Sequence, residues 1–274
     1  MFLPRLISGI GLVLIALVTL IMGGPVLAII TCLISIIGYL ELGKATQVRA
    51  NGEKLNIMEV VGLVNILLYY GLIYFFDESM FMMIPIIVTF MGTMLFYVVK
   101  FPKYKAEQAM ANVFNFLYAP IMLSFIFLTR ELQYGELTVW LILISSWGSD
   151  TCAYVVGMLF GKKKPFPELS PKKSLEGCIG GIIGSGILGA LYGFFVVESA
   201  FADQTITWIF AVICMIGSVM SQIGDLAASA IKRNYGIKDY GKLIPGHGGI
   251  MDRFDSMIVI APCVYFMLTW FIKM

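Results

Sequence analysis

The chain has 274 residues, of which 59% are hydrophobic and only 13% charged, and its mean hydropathy is +0.89. A soluble domain of this size carries about 25% charged residues, so a water-soluble globule is excluded and the bilayer becomes the expected solvent. The net charge of +2 decides little by itself; where the charges fall decides more.

Taken in chain order, nine apolar stretches are long enough to cross a membrane, near 4–22, 25–43, 58–76, 80–99, 110–129, 137–160, 177–197, 204–231 and 254–272. Helices are expected, because lipid offers no partner to an open backbone. The alternating ten-residue segments of a β-barrel do not occur. The first stretch comes after Arg5 and is read as a retained span, since no clean small-residue cleavage site stands behind it. A tight "MGGP" turn joins it to the second. Cys32, Cys152, Cys178, Cys214 and Cys263 lie in or beside apolar runs without paired spacing, and read as small core hydrophobes. The expected fold is an all-α polytopic membrane protein of about nine helices. Residues 1–136 form a five-helix region, and 137–274 a catalytic region with loops 161–176 and 232–253.

Basic residues sort by loop. If nine spans alternate, 17 of the 19 fall on one side: Arg5, and those of the 44–57, 100–109, 161–176 and 232–253 loops. The positive-inside rule then puts the N-terminus and these loops in the cytoplasm, the C-terminus outside.

Three charged stretches sit against this apolar background. In "SSWGSDTCAYVVG" Asp150 lies mid-span, where an ionisable group costs on the order of 2.5–3.5 kcal/mol. Ser146, Asp150, Tyr154, Gly157 and Gly161 recur at three- or four-residue steps and are expected on one face; a polar seam between packed helices is the plain alternative. In "SVMSQIGDLAASAIKR" Ser218, Ser221, Asp225, Ser229 and Lys232 form a second stripe. A metal-bound Asp225 facing a water-filled cavity fits better than a protonated acid packed among serines. The third stretch, "KRNYGIKDYGKLIPGHGGIMDRFDS", holds Gly236, Gly241, Gly246, Gly248, Gly249 and Pro245, which forbid a regular helix. Glycine lets backbone N–H groups approach an anion, and Lys232, Arg233, Lys238, Lys242 and Arg253 bring positive charge for phosphates. Asp252 and Asp255 stand at i and i+3 where the ninth helix begins, and so face the same way. Mg²⁺ takes one or two carboxylates and fills its octahedron with water and phosphate oxygens; helix capping is the alternative role for the two acids. His247, the chain's single histidine, is equally a turn residue or a ligand.

"SPKKSLEG" adds a fourth element. Ser170 and Pro171 look like a helix start, which would put Lys172 and Lys173 in the first turn, the wrong end for cations unless they meet an anion. Positive-inside anchoring is the plain alternative for the lysines. The later glycines, Gly177 to Gly193, are read as sites of close helix approach.

The stretch from Ser229 to Ser256 resembles the signature of the phosphatidate cytidylyltransferase (CDP-diacylglycerol synthase) family at Ser229, Lys232, Arg233, Lys238, Asp239, Pro245, Gly246, His247, Gly248, Gly249, Asp252, Arg253 and Asp255. "SDTCAYVVGMLFGKKK", "SPKKSLEG" and "GDLAAS" are similar to the family's upstream stretches. The resemblance covers about 137–256 and leaves the first five spans as hydrophobic helices only. It implies transfer of a cytidylyl group from CTP to phosphatidate with Mg²⁺, and a second metal ion is left open. It implies Asp225 and Asp252 as metal ligands with Asp255 and Asp150 behind them, and Lys232 and Arg253 with Asp225, Asp252 and Asp255 at the reacting groups. Lys172, Lys173, Arg233, Lys238 and His247 would hold phosphates. Ser221 and Ser229 would position the lipid phosphate or a metal-bound water, and Gly248 and Gly249 would let phosphate come close. The expected partners are CTP, phosphatidate and the bilayer of the cell's inner (plasma) membrane, with no nucleic acid, and a homodimer is left open. A CTP-dependent polyprenol or phytol kinase is the neighbouring alternative. An ion-coupled transporter using Asp150 and Asp225 is the alternative of another class.

Overall fold

Apolar length determines the elements. In the computed structural model, which describes residues 2–49, 53–76, 79–198, 206–244, 246 and 248–272, nine long helices occur in order. They are α1 (Phe2–Met22), α2 (Gly24–Ala45), α3 (Ile57–Phe75), α4 (Ser79–Val99), α5 (Ala106–Arg130), α6 (Gly135–Phe160), α7 (Leu175–Val197), α8 (Ile206–Asn234) and α9 (Met251–Phe271). Eight of them, α2 to α9, are long and apolar enough to cross a membrane; the side chains described in α1, Ser8–Met22, make a shorter apolar helix. Among the described residues there is no strand, only an isolated antiparallel bridge between Ile244 and Gly248. The protein is thus an all-α polytopic membrane protein, as the sequence led us to expect.

The chain divides into two compact units. One comprises Met1–Leu128 with Asn234–Phe254, the other Thr129–Arg233 with Asp255–Met274. The glycine-rich loop therefore goes with the N-terminal helices, and the chain passes from one unit to the other within α9.

In the first unit, Gly23 and Gly24 turn the chain with φ of 60° and 47°, a region open to glycine, and Pro25 starts α2. The interior is glued by hydrogen bonds, as expected where lipid removes the hydrophobic drive between helices. Tyr39 donates to Asn112 at 2.6 Å, whose amide donates to Thr93 and to the Met58 carbonyl, and Ser35 pairs with Tyr70 at 2.8 Å. Pro120, lacking an N–H, coincides with a π-helical turn at Leu117–Ile121 of α5. α3 opens with a reciprocal cap, Asn56 accepting from the Glu59 amide at 2.8 Å and Glu59 from the Asn56 amide at 3.2 Å. Glu59 is fully buried and pairs with Arg49 at 2.9 Å. Arg49→Ala strands that carboxylate. Its expected cost is about 3 kcal/mol, the low end for a buried pair because Arg49 keeps 21% exposure. Thermal unfolding in detergent checks this, and an Arg49→Met/Glu59→Leu double variant should recover much of the loss.

In the second unit α6 and α7 lie close together along small residues. A Cβ on Gly177 would sit 2.8 Å from the Ala153 carbonyl, and one on Gly184 2.5 Å from Cys152 Sγ. Serine pairs tie the other helices in: Ser149 with Ser218 at 2.6 Å and Ser146 with Ser256 at 2.9 Å. Buried cysteines Cys32 and Cys214 are free thiols, in keeping with a hydrophobe's role.

Candidate functional site

The charged residues picked out in the sequence fall into two sets, one in each unit.

The second unit holds an acid–base cluster. Lys173 Nζ lies 2.6 Å from Asp225 Oδ2, with the two side chains 23% and 36% exposed. Asp150 feels both charges. It lines, with Tyr154, Lys172, Lys173, Cys178 and Gln222, a cavity of about 430 Å³. On α8, one turn before Asp225, Ser221 is 1% exposed and its hydroxyl has no hydrogen-bond partner. Ser229 comes one turn after Asp225 and is half-buried, and α8 ends in Lys232 and the exposed Arg233. α8 meets α9 at Gly224, where an added Cβ would lie 2.8 Å from the Asp255 carbonyl. Asp255, half-buried, accepts from the adjacent Ser256 N–H at 2.8 Å.

Two expectations here need correction. α7 starts at Leu175, not near Ser170. Ser174 is its cap, accepting from the Gly177 amide at 3.2 Å. Lys172 and Lys173 thus precede the helix in a turn, held where Lys164 donates to the Lys172 carbonyl at 2.8 Å, and no dipole rule is broken. The stripe on α6 is also split. A π-helical turn at Ile144–Gly148 shifts the register, so Ser146 points into the core at Ser256, while Asp150, Tyr154 and Gly157 line the cavity.

The first unit holds the glycine-rich loop. Ile244 N–H donates to the Gly248 carbonyl at 2.9 Å, and Gly246 and Gly248 take φ of 78° and 88°. His247 and Pro245 lie outside the described residues. Asp252, 8% exposed, draws the loop in: its Oδ2 accepts from the Tyr240 amide at 2.9 Å and the Gly249 amide at 3.0 Å. A Cβ on Gly248 would lie 2.8 Å from that same oxygen, so the positive φ and the missing side chain both serve the approach of Asp252. Lys238, Lys242 and Arg253 are exposed along the loop. Asp252 and Asp255, at i and i+3 on α9, belong to different units.

One acid was missed in the sequence. Glu41, in the last turn of α2, accepts from the Met251 amide at 2.9 Å and the Ile250 amide at 3.2 Å. Its carboxylate lies against Gly241 and Gly249, leaving no room for a Cβ at either. The anion that approaches Gly249 in this structure is therefore a side chain of the protein. The available signal was a carboxylate within an apolar span, the feature that singled out Asp150.

Among the described residues, no three of His, Cys, Asp and Glu gather to hold a metal ion. The donors in the second unit nevertheless suit a hard cation. They are carboxylate oxygens, of which Asp225 Oδ2 is the one engaged by Lys173, with the unpartnered Ser221 hydroxyl a turn away.

These features define a polytopic membrane protein with acids and cations collected at helix ends and loops. Residues 3–271 match the cytidylyltransferase family, and the chain belongs to it. It is 41% identical over 140 residues to phosphatidate cytidylyltransferase of Bacillus subtilis (51% of this chain, 50% of that protein). It is 36% identical over 184 residues to the protein of that name from Thermotoga maritima (66% and 67%), and 39% over 157 residues to that of Staphylococcus haemolyticus (55% and 55%). The matched stretches span about half the length of these relatives, and two thirds in the Thermotoga case.

Proposed function

We propose that the protein is a phosphatidate cytidylyltransferase, converting CTP and phosphatidate into CDP-diacylglycerol and pyrophosphate. The observation that carries this reading is the Lys173–Asp225 pair beside Asp150 at a cavity large enough for a lipid headgroup. Family membership and the names of the relatives support it. In the reaction a phosphate oxygen of the lipid attacks the α-phosphorus of CTP, the bond to the bridging oxygen breaks, and pyrophosphate leaves. The nucleophile is already an anion, so no strong base is needed; the barrier is repulsion between anions, and fixed positive charge lowers it. We assign Lys172 and Lys173 to the lipid phosphate, whose chains would lie along the exposed Tyr154 and Met158 of α6. Lys232 and Arg233, Lys238 and His247 on the loop, and Arg253 in the first turn of α9 are assigned to nucleotide phosphates. Asp225, with Asp150, Asp255 and Ser221, and Asp252 in the first turn of α9, are the residues proposed to hold Mg²⁺. The metal would supply charge neutralisation at the phosphates. The clustering of basic residues in alternate loops supports a cytoplasmic N-terminus and a cytoplasm-facing site in the inner membrane.

The test is product analysis. Purified protein in detergent, given Mg²⁺, labelled CTP and phosphatidate, is expected to yield a CDP-lipid and equimolar pyrophosphate. Release of CDP with a phosphorylated polyprenol would replace this reading by the kinase. No turnover, together with substrate-driven ion flux in liposomes, would replace it by the transporter.

A further inference from the structure

We infer that Glu41 is a positioning residue: a carboxylate carried by α2 that fixes the glycine-rich loop and the start of α9, and through them Asp252. Four observations within the first unit meet at this side chain. Its two oxygens take the Ile250 and Met251 amides, two of the four donors that a helix start leaves without intrahelical partners. Gly241 in the middle of the loop and Gly249 near its end close on the carboxylate with no space for a side chain. One turn earlier on α2, Gly38 receives Met251, and a Cβ there would lie 2.9 Å from its sulfur. The end of α2 is itself braced, because Arg49 bonds both the buried Glu59 and the Leu40 carbonyl.

The consequence is specific. Asp252 takes the Gly249 amide, and Glu41 takes the next two amides in the chain. Three consecutive N–H groups are thus fixed by two carboxylates from different helices. Tyr240, Ile244 and Ile250 pack inward, but Gly241 and Gly249 bring no side chain to hold the backbone where they stand, and charge-assisted hydrogen bonds from a membrane-embedded helix hold it there. Glu41 donates nothing and holds no substrate. It sets where Asp252 and Arg253 stand, and the resemblance of the loop to the family signature leaves this residue, some 200 positions away, outside the motif.

Glu41→Gln tests it. The amide keeps the shape but replaces one acceptor oxygen with a donor, which cannot serve Ile250 or Met251. Hydrogen–deuterium exchange of the full-length protein in detergent should speed at least ten-fold in peptides covering 238–252, with α3 peptides unchanged. The activity arm rests on the proposed cytidylyl transfer: kcat should fall about ten-fold with KM for phosphatidate within two-fold, since Lys172 and Lys173, assigned to the lipid phosphate, lie outside the loop. Glu41→Asp, which keeps the charge, should recover part of both. Unchanged exchange in the loop overturns the inference whatever the activity does. Faster exchange with normal turnover leaves Glu41 holding the loop and instead overturns the loop's place in the reaction. If Glu41→Gln does not fold, Gly241→Ala, which crowds the carboxylate with Glu41 intact, is expected to give the same pattern, and normal exchange in that variant overturns the inference.

Discussion

Exchange of Asp225 for asparagine is expected to lower the maximal rate of the proposed CDP-lipid formation roughly 10²- to 10³-fold, with little change in stability. The two effects separate because of where the residue sits. Asp225 is 36% exposed and Lys173 23% exposed, so their ion pair is partly solvated. Such a pair contributes at most about 1 kcal/mol to the fold. Its proposed chemical role is larger, since a partly exposed carboxylate is available to a cation in a way that a neutral amide is not. Asparagine preserves size and one acceptor oxygen, so α8 should keep its packing at Gly224 and Ser218. Steady-state turnover against Mg²⁺ concentration is the measurement, beside thermal unfolding. A charge exchange, Lys173→Asp with Asp225→Lys, provides the control. If the pair only ties the loop to α8, the exchange restores function. If Asp225 serves a cation and Lys173 a phosphate, it restores stability alone. Asp225→Asn with near-normal turnover at saturating metal would remove Asp225 from the metal assignment.

The helices were legible in the sequence because a twenty-residue apolar run in lipid has few alternatives. Their registers were not. The π-helical turns at Leu117–Ile121 and Ile144–Gly148 rotate all later residues of α5 and α6 about the helix axis, and period-3.6 counting carries straight through such a turn. By that count Ser146 shares the face of Asp150; in the structure it does not. Ser170 and Pro171 are both common helix openers, but Ser174, three residues before Gly177, is an equally good cap and is the one used. At the site, Asp150 and Asp225 were visible as charges in apolar surroundings and Lys173 as a cation of the "SPKKSLEG" stretch, and the structure brings those three together. Glu41 was not visible as a partner of the loop, since its contacts are with backbone amides 209 and 210 residues further on. No side-chain pattern encodes a hydrogen bond to a distant main chain. The glycines of the loop showed the converse problem. Their spacing announced that an anion comes close to the backbone, without saying that the anions are Asp252 and Glu41.

Asp252 provides the sharpest separation of structure from chemistry. Its Oδ2 accepts two backbone amides that close the loop, at 2.9 and 3.0 Å. An alanine at this position therefore leaves two donors in a largely buried place, which costs about 1–3 kcal/mol for each unsatisfied group, and it loosens the loop as well as removing a charge. Asp252→Ala alone cannot tell an anchor from a reacting group. Asp252→Asn can, because an amide oxygen in the place of Oδ2 still accepts from Tyr240 and Gly249 while the negative charge is gone. If Asp252 is a metal-binding acid, Asp252→Asn should lose roughly 10²-fold or more in turnover, with loop exchange close to wild type. Asp252→Ala should show the same loss of turnover together with fast exchange in 238–252. If Asp252 only anchors the loop, the asparagine variant should turn over within a few-fold of wild type and the alanine variant alone should fail. The pair of variants, read by kcat and by amide exchange on the same preparations, decides between the metal-binding role that the sequence favours for this acid and the helix-capping alternative.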